Sequence, residues 1–383
     1  MAFSPLSVGV IGLGGIARGL HIPGYRLCED VVLAALCDVD PETLARVGAE
    51  EGVTRLTTDY RALLADPGID AVSVCTWPNT HHKVSMAAIA AGKHVLCEKP
   101  LAMDATQARE MRDAARSAGL VSGVGFTHRL TPAAHMAHDL ITDGALGELR
   151  QVSAVYSFGW PNVNDRPWSP LDSKALSAGG ALYGLGVHII DMVRWWTGQV
   201  ITAVCAQSRT FVPRRPLEDT DDWRDVDVED TATFLADLSG GGMATFSQSY
   251  VRTGVDFVQQ IEVSGSVGAL IYDQARPYDL QVCIGERMAN ISAGYGIYAP
   301  MWSTHHPETL FPMLPVPQVY RDAVPGAREG QPLRTFEPAF VDAIHGLDAP
   351  LLPTFEDGFH AQCVLDAVAR AWEERRWVDV PTD

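Results

Sequence analysis

The sequence predicts an α/β protein in which a doubly wound parallel sheet is followed by a domain with an antiparallel sheet. Between Ser7 and Phe126, short β-branched and apolar runs alternate with helical patterns, as in successive βαβ units. Between about Val200 and Ile284, strand-like runs are separated by glycine-rich turns, which is typical of an antiparallel sheet. The chain of 383 residues exceeds one typical core, so we predict two domains, 1–126 and 127–383.

Composition and charge limit the partners that we expect. Apolar residues make up 47% of the chain and charged residues 20%, and no apolar run is long enough to cross a membrane, as in a soluble globular protein. The formal net charge of −18 would repel nucleic-acid phosphates. We therefore expect neither a membrane nor a nucleic-acid partner, although local backbone N–H groups can still hold a dinucleotide.

The N-terminus and the cysteines favour a cytoplasmic protein. The first residues pass directly into a strand-like run, without the basic and apolar segments of a secretion signal. The seven cysteines are odd in number and scattered, and they form no Cys-x-x-Cys pair. Reduced, buried thiols are therefore expected rather than disulfides or a zinc site.

A glycine-rich turn follows the first predicted strand, Ser7–Ile11, and opens onto a helical pattern. In the dinucleotide-binding fingerprint, the first glycine permits the tight turn, the second lets the backbone approach the pyrophosphate, and a small third residue lets the helix pack on the strand. Gly12, Gly14 and Ala17 supply these positions. The predicted cofactor residues of the turn are Gly12, Gly14, Gly15, Ile16 and Ala17. The alternative is an ordinary glycine turn.

Asp38 follows the second predicted strand, Val31–Cys37, at about the distance expected for the acid that receives the ribose hydroxyls. A carboxylate there would repel the extra phosphate of NADP, and no arginine follows immediately to accept one. We therefore predict NAD as the cofactor. The alternative role, a helix N-cap, is better assigned to Asp40, because Pro41 then takes the first helical position.

The alternation continues toward the end of the first domain. Helices are predicted near Pro41–Glu50, from Asp59, from Thr80 and over Asp104–Ala118, and strands near Val53 and over Ile69–Cys75, His94–Cys97 and Val121–Phe126. Ligands of open α/β sheets bind at the carboxyl edge of the strands. The predicted cofactor residues at this edge are Thr76, Trp77, Pro78, Asn79, His82, Glu98 and Lys99. A His81–His82 pair without other ligands does not indicate a metal, so we predict none.

In order along the chain, these motifs resemble the Gfo/Idh/MocA family of NAD(P)-dependent sugar and polyol oxidoreductases. The motifs that carry the resemblance are Gly12-x-Gly14-x-x-Ala17, Pro78-Asn79-x-x-His82, Ala91-Gly92-Lys93-His94-Val95-x-x-Glu98-Lys99-Pro100, Gly144-x-Leu146-Gly147-Glu148, Gly179-Gly180-Ala181-Leu182-x-x-x-Gly186-x-His188-x-x-Asp191 and Pro353-Thr354-Phe355-Glu356-Asp357-Gly358. The resemblance implies an N-terminal Rossmann domain and a C-terminal α/β domain whose open, mostly antiparallel sheet often forms an oligomer interface. It also implies that Lys99 contacts nicotinamide and substrate, and it favours a cis Lys99–Pro100 bond.

The predicted helix Gly180–Thr197 places His188 and Asp191 about one turn apart on one face. The pair could serve as a proton donor or acceptor and a hydroxyl anchor, or as a satisfied structural pair, and the resemblance favours the first role. The chain departs from the family at Gly184, where many sugar dehydrogenases carry an aspartate. The candidates to replace that carboxylate are Tyr183, Asp165 and Asp172.

Three further regions are expected to shape the substrate site or the assembly. Thr127-His128-Arg129 replaces the Asn-aromatic-Arg more usual in the family, and we expect Arg129 to orient substrate. The aromatic loop that contains Trp160 and Trp168 could line a sugar pocket or simply anchor itself. The segment 285–332 has little periodicity and is rich in Pro, Tyr, Trp and His, so we predict an oligomer arm or a pocket lid there.

Together these features predict hydride transfer between NAD and a secondary alcohol carbon of a sugar, cyclitol or related polyol. His188 is the predicted base because its intrinsic pKa is near neutral, and Lys99 would stabilise the developing alkoxide. The predicted substrate residues are Asp191, Arg129, Tyr183 and Trp168. Two alternatives stay open: NAD-dependent glycoside cleavage through transient oxidation, and a sugar-sensing regulatory protein without turnover. A homo-oligomer, dimer or tetramer, is expected.

Overall fold

The computed structural model describes residues 4–159, 166–284, 313–323, 327–328, 331–332 and 335–382. The chain forms two compact units, each assembled from three segments. Unit 1 comprises Met1–Leu130, Ser169–Val187 and Pro325–Asp366, and unit 2 comprises Thr131–Trp168, His188–Val324 and Ala367–Asp383. The predicted domains, 1–126 and 127–383, are by contrast contiguous, and that division stays a prediction.

Unit 1 is built on a six-stranded parallel sheet in the order β3-β2-β1-β4-β5-β6. The strands are β1 Leu6–Ile11, β2 Val31–Cys37, β3 Leu56–Thr57, β4 Ala71–Val74, β5 His94–Cys97 and β6 Ser122–Val124. This order is that of the Rossmann fold, in which the strand order reverses beside β1. Every residue of β4 is buried, because helices cover both faces of such a sheet. The predicted doubly wound parallel sheet is confirmed.

Several helices begin directly after a residue whose side chain caps them. The helices are α1 Ile22–Tyr25, α2 Pro41–Glu51, α3 Tyr60–Leu64, α4 Pro78–Ala90, α5 Ala105–Ala118, α6 Pro132–Thr142, α7 Lys174–Ser177, α8 Val187–Thr197, α9 Gln318–Ala323, α10 Glu337–Ile344 and α11 Phe355–Glu374. Those with such a side-chain cap are α2, α3, α5 and α6. The Asp40 carboxylate accepts hydrogen bonds from the N–H groups of Glu42 and Thr43, both at 3.2 Å. Its predicted role as the N-cap of α2, with Pro41 at the first position, is confirmed.

Two helical stretches contain a widened π turn. Ala17–His21 leads into α1, and Leu182–Gly186 leads into α8. Such turns are rare and concentrate at functional sites. Both are therefore places to look for groups that do more than support the helix.

Late segments of the chain complete the edge of the unit 1 sheet. The N–H of Val124, in β6, donates to the carbonyl of Pro353 at 2.8 Å. The N–H of Ala105 donates to the Asp366 carboxylate at 2.7 Å, and the Arg112 guanidinium lies 4.1 Å from the centre of the Phe359 ring. Unit 1 is therefore not complete until α11 is in place.

Unit 2 is built on a nine-stranded sheet in the order β16-β15-β14-β13-β7-β12-β11-β8-β19. The strands are β7 Leu149–Phe158, β8 Ile201–Arg209, β11 Thr231–Leu238, β12 Met243–Ser249, β13 Phe257–Gly265, β14 Gly268–Asp273, β15 Asp279–Ile284, β16 Met313–Pro315 and β19 Val378–Asp379. Short hairpins are formed by β9 Arg214–Pro216 with β10 Trp223–Asp225, and by β17 Ala327–Arg328 with β18 Gln331–Pro332. Within the large sheet, β7 and β12 are parallel and the other neighbours are antiparallel, which confirms the predicted mostly antiparallel sheet.

One face of the unit 2 sheet carries the core. The Trp196 indole of α8 donates to the Ala134 carbonyl of α6 at 3.0 Å and packs edge-on against Tyr272 of β14. On the same face, the rings of Phe234 and Phe246 stack 4.5 Å apart. Along β11, buried residues alternate with exposed ones, as in a sheet that is covered on one side only.

The helical stretch Lys174–Thr197 is long and apolar enough to cross a membrane by length and composition alone. However, 89% of its apolar window is buried inside the protein, as in the core helix of a globular protein. Its apolar character is therefore explained by packing.

Some predicted features lie outside the described residues. They are Trp160, Asp165 and residues 285–312 of the predicted arm or lid. From the remainder of that segment, β16 and α9 belong to unit 2, and β17 and β18 belong to unit 1.

Candidate active site

The glycine turn after β1 has the geometry that the fingerprint requires. Gly12 has a φ of 89°, and a Cβ there would lie 2.7 Å from the Cys75 carbonyl oxygen, so only glycine fits. A Cβ on Gly14 or Gly15 would meet no atom of the described residues within 4 Å. The backbone at these two positions therefore faces open space, as a cradle for a pyrophosphate requires.

The other two residues of the turn lie at the start of the helix. Ala17 is fully buried, which fits the small residue needed where the helix packs on the strand. Ile16 is 41% exposed, so its side chain is available to a ligand. The turn is thus fixed at Ala17, where the helix packs on the strand, and open to solvent at Ile16.

Asp38 connects the end of β2 to the glycine turn. Its Oδ2 accepts a hydrogen bond from the N–H of Leu13 at 2.7 Å, and its Oδ1 accepts one from the N–H of Asp40 at 2.9 Å. The side chain is half-buried, which leaves part of the carboxylate accessible. This is the position from which an acid can meet ribose hydroxyls.

The residues after β4 lie beside the turn. A Cβ on Gly12 would approach the backbone nitrogen of Thr76 to 2.9 Å, so these two segments are adjacent. Pro78 opens α4, and the preceding Trp77 is 47% exposed. Asn79 is exposed in the first turn of α4. The structure thus brings Thr76 to the glycine turn and leaves Trp77 and Asn79 accessible.

The two histidines of α4 have different partners. His81 is buried, with Nδ1 2.8 Å from the Pro100 carbonyl oxygen and Nε2 2.9 Å from that of Thr76. Burial lowers the pKa of His81 despite these two acceptors. This link between the segments after β4 and β5 was not apparent from the sequence. His82 Nε2 instead lies 2.7 Å from the Glu110 carboxylate of α5, and its predicted contact with the cofactor stays a prediction.

Lys99 follows β5 at the same carboxyl edge. Its Nζ donates to the Gly184 carbonyl at 3.2 Å, within the π turn Leu182–Gly186. Burial lowers the pKa of Lys99, although the neighbouring Glu98 carboxylate raises it. The Lys99–Pro100 bond is cis, which confirms the expectation from the resemblance.

Glu98 points into the interior of unit 1. Its Oε1 lies 3.1 Å from Nε2 of the buried His21, and its Oε2 accepts the backbone N–H of Lys99 at 3.1 Å. Burial raises the pKa of Glu98, but the hydrogen bond and charge of His21 and the charge of Lys99 lower it overall. Its predicted cofactor role stays a prediction, and the contact with His21 was missed.

Two of the predicted substrate residues are buried in unit 1. The Arg129 guanidinium forms an ion pair with the Asp357 carboxylate at 3.1 Å, which ties the Thr127–Arg129 turn to the start of α11. Tyr183 lies in the π turn, and its ring leaves no room for a Cβ at Gly179. Asp357 belongs to the Pro353–Gly358 motif, and its contact with Arg129 gives this motif a structural role.

The predicted base lies in unit 2. His188 and Asp191 are both buried on α8. The His188 ring lies 6.2 Å from the ring of Tyr156, which projects from β7. Tyr156 is therefore a further polar neighbour of His188, and only the sheet register could have revealed it.

Trp168 is held against the hairpin β9–β10. Its indole N–H donates to the Asp225 carbonyl at 3.2 Å, and the Arg224 guanidinium lies 3.8 Å from the ring centre. The Trp168 backbone N–H donates to the Pro216 carbonyl at 2.7 Å. These contacts suit an aromatic anchor, one of the two roles left open, and its role as a pocket wall stays a prediction.

Within the described parts of the chain, no group of three or more His, Cys, Asp or Glu side chains is arranged to hold a metal ion. The seven cysteines are free thiols. A cavity of about 540 Å³ lies on the less covered face of the unit 2 sheet, between residues such as Ser157, Thr231 and Arg252. None of the predicted site residues lines it.

The fold and glycine turn of unit 1 define an NAD-binding protein of the Rossmann class. A family model described as an oxidoreductase family with an NAD-binding Rossmann fold matches residues 6–126, and a model of the GFO/IDH/MocA C-terminal domain matches residues 135–271. The chain therefore belongs to the Gfo/Idh/MocA family, as its motifs predicted. It is an NAD-dependent oxidoreductase.

Relatives and solved structures of similar length support this assignment. Levoglucosan dehydrogenase of Pseudarthrobacter phenanthrenivorans is 27% identical over 98% of each chain. Myo-inositol 2-dehydrogenase of Thermotoga maritima is 30% identical over 71% of this chain and 76% of its own. A levoglucosan dehydrogenase solved with NADH and L-sorbose has a TM-score of 0.86 and 26% identity, over 100% of both chains.

Proposed function

We propose that the protein is an NAD-dependent dehydrogenase that oxidises a secondary alcohol of a sugar, cyclitol or related polyol, or reduces the corresponding ketone. The observation that carries the proposal is the placement of Lys99 after β5, with its Nζ on the Gly184 carbonyl. A lysine ammonium at the ligand-binding edge of a Rossmann sheet suits a reaction that develops negative charge on oxygen. The substrate class is supported by relatives named for levoglucosan and myo-inositol.

The residues of unit 1 fit the cofactor. Gly12 and Gly14 leave the backbone accessible to a pyrophosphate, and Asp38 would receive the ribose hydroxyls. The same carboxylate disfavours the additional phosphate of NADP. The chemistry that NAD supplies when bound is acceptance of a hydride from the alcohol carbon.

Lys99 would stabilise the alkoxide that forms as the alcohol proton leaves. Its ammonium has three donors, and the Gly184 carbonyl uses one of them. The effect of such a charge grows when water is excluded from the site. Burial lowers the Lys99 pKa, so the residue is also closer to proton exchange than an exposed lysine.

His188 would take the alcohol proton, with Asp191 on the same helix orienting a neighbouring hydroxyl. Imidazole is the side chain whose ordinary pKa lies nearest to neutral, which suits a general base. Arg129, Tyr183 and Trp168 complete the proposed substrate residues. Arg129 would act from a fixed position, because Asp357 holds its guanidinium.

The proposal includes a homo-oligomer, dimer or tetramer, in the cytoplasm. The support for assembly is the less covered face of the unit 2 sheet, where Leu235 and Met243 are 44% and 54% exposed on neighbouring strands. Exposed apolar side chains on a sheet face commonly mark an interface. Analytical ultracentrifugation would test this part, and a monomer at micromolar concentration would contradict it.

The activity is tested by NADH formation with a panel of levoglucosan, inositols, glucosides and simple hexoses. Lys99→Ala and His188→Gln should each lose activity by about a hundredfold or more. The matched controls are Lys83→Ala, on the exposed side of α4, and His138→Gln, which is partly exposed and stacked on Trp195. Full turnover in Lys99→Ala and His188→Gln, or no NADH from any alcohol with the wild-type protein, would overturn the proposal.

A further inference from the structure

A buried histidine lies between two carboxylates directly behind Lys99. His21 comes from the first π turn and is completely buried, as is Glu337 at the start of α10. His21 Nε2 lies 3.1 Å from Glu98 Oε1, and its Nδ1 lies 2.8 Å from Glu337 Oε1. Ser73 Oγ is also 3.2 Å from Nδ1. Each ring nitrogen therefore faces a carboxylate.

The chain leaves room for this arrangement at two glycines. A Cβ on Gly125 would lie 2.6 Å from Glu98 Oε1. A Cβ on Gly24 would collide with Glu337 Oε2 and with the hydroxyl of Thr335, which itself hydrogen-bonds that oxygen. Both carboxylates are thus held in places that larger residues would block.

With both carboxylates ionised, the cluster is neutral when His21 is protonated. Two buried carboxylates and the Lys99 ammonium leave one negative charge, and an imidazolium neutralises it. Leaving a buried carboxylate without compensation is costly. Burial alone would lower the pKa of His21, but the facing Glu337 carboxylate, 2.8 Å from Nδ1, raises it. The two carboxylates that face the ring therefore favour the imidazolium form of His21.

The cluster reaches Lys99 through both oxygens of Glu98. One oxygen pairs with His21 and the other accepts the backbone N–H of Lys99. The order in space is thus Glu337, His21, Glu98, Lys99. His21 and Glu337 are the two charged groups that do not contact Lys99 in this series. His21 is the nearer of the two along it, because it is hydrogen-bonded to Glu98.

We propose that His21 and Glu337 are positioning residues for Lys99: the imidazolium fixes the Glu98 carboxylate that holds the Lys99 backbone, and Glu337 supplies its counter-charge. The inference deepens the proposed function and rests on the role given there to Lys99. It makes α10 a contributor to the chemistry although no residue of α10 is placed in contact with substrate or cofactor.

Several other groups face this cluster and share its electrostatics. Tyr25 on α1 donates to or accepts from Ser73 Oγ at 2.8 Å, and burial raises the pKa values of Tyr25 and of the Cys75 thiol, so both stay neutral. His81 on α4 is kept neutral by burial and lies within the field of Glu98 and Lys99. The polar groups through which the cluster reaches Lys99 are therefore Glu98, His21 and Glu337.

The test measures the pKa of Lys99 without turnover. Full-length protein is acetylated competitively at pH values from about 6 to 11, and the rate at Lys99 is read by mass spectrometry. The exposed Lys83 is the internal reference. The variants are His21→Gln and Glu337→Gln, and the matched control is His345→Gln, which removes another histidine–carboxylate pair of unit 1, with Asp30 at 2.6 Å.

The two variants should move the Lys99 pKa in opposite directions. His21→Gln removes the nearer positive charge and raises the pKa by about half a unit or more, since Glu98 keeps its charge beside the ammonium. Glu337→Gln removes the negative charge beside the imidazolium, whose positive charge then lowers the Lys99 pKa. His345→Gln should leave it within about 0.2 units. NADH affinity should stay within about twofold in all three variants, because the glycine turn and Asp38 are untouched.

A Lys99 pKa that is unchanged in both variants, or that moves in the same direction in both, would overturn the proposal. If His21→Gln fails to fold, the downward shift in Glu337→Gln decides the question alone. A purely structural role would lower the melting temperature without moving the Lys99 titration. Because labelling needs no substrate, an inactive wild-type protein would count against the proposed function and leave this result intact.

Discussion

Lys99 Nζ donates a hydrogen bond to the main-chain carbonyl of Gly184, at 3.2 Å. The family resemblance led us to expect an aspartate at position 184, but this chain offers the ammonium a neutral backbone oxygen from a π turn. A neutral acceptor stabilises a cation less than a carboxylate does. The substitution at Gly184 therefore leaves the effect of burial on the Lys99 pKa less opposed.

The activity should fall at alkaline pH as Lys99 loses its proton. Its pKa is lowered from 10.5, so the charged form that stabilises an alkoxide is lost as pH rises through a value below 10.5. Lys99→Arg keeps a positive charge, so the alkaline decline of kcat/KM should shift to higher pH. The maximum value of kcat/KM should be lower than in the wild type. Lys83→Arg is the control. If the alkaline decline of kcat/KM occurs at the same pH in Lys99→Arg as in the wild type, a group other than Lys99 causes it.

Alanine substitutions at two glycines of the turn should distinguish an effect on stability from an effect on cofactor binding. Gly12→Ala forces a side chain into a φ of 89° and against the Cys75 carbonyl, and should cost about 1–3 kcal/mol of stability. Gly14→Ala meets no described atom within 4 Å and should leave the melting temperature of the ligand-free protein unchanged. NADH affinity, measured by fluorescence, should nevertheless fall about tenfold or more in Gly14→Ala. Unchanged affinity there would place the pyrophosphate elsewhere.

Cofactor preference should depend on Asp38 and not on Asp40. Asp38→Asn keeps an acceptor for the Leu13 N–H but removes the charge, and should improve the NADP/NAD ratio of kcat/KM by about tenfold. Asp40→Asn alters only the cap of α2 and should leave this ratio unchanged. The same ratio in Asp38→Asn as in the wild type would mean that Asp38 does not meet the ribose.

The buried Arg129–Asp357 pair should contribute to the stability of unit 1. Asp357→Asn removes a charged partner of a buried guanidinium and should cost about 2–4 kcal/mol in chemical denaturation. A double-mutant cycle with Arg129→Met measures the coupling. The exposed pair Arg46–Glu50 is the control, and Glu50→Gln should change stability by less than about 0.5 kcal/mol. Additive effects of Asp357→Asn and Arg129→Met would contradict the coupling.

Structural features that depend on residues close together in the sequence were predictable. The glycine turn, the Asp40 cap and the parallel sheet each follow from a short pattern with one physical explanation. The pairs His21–Glu337 and Arg129–Asp357 were not predictable, because each joins a residue of the first segment of unit 1 to one more than two hundred positions further along the chain. Such pairs depend on where tertiary packing brings α10 and α11, which no local period encodes.

The hydrogen bond from Val124 to Pro353 has a consequence for synthesis. All six strands of the first sheet are synthesised and leave the ribosome before Glu337, Pro353 and Asp366 are added to the chain. During that interval the outer edge of β6 is unpaired and open to other strands, and contacts of long sequence separation form slowly. The N-terminal third of the protein is therefore protected from aggregation only after the C-terminal helices have been synthesised and packed.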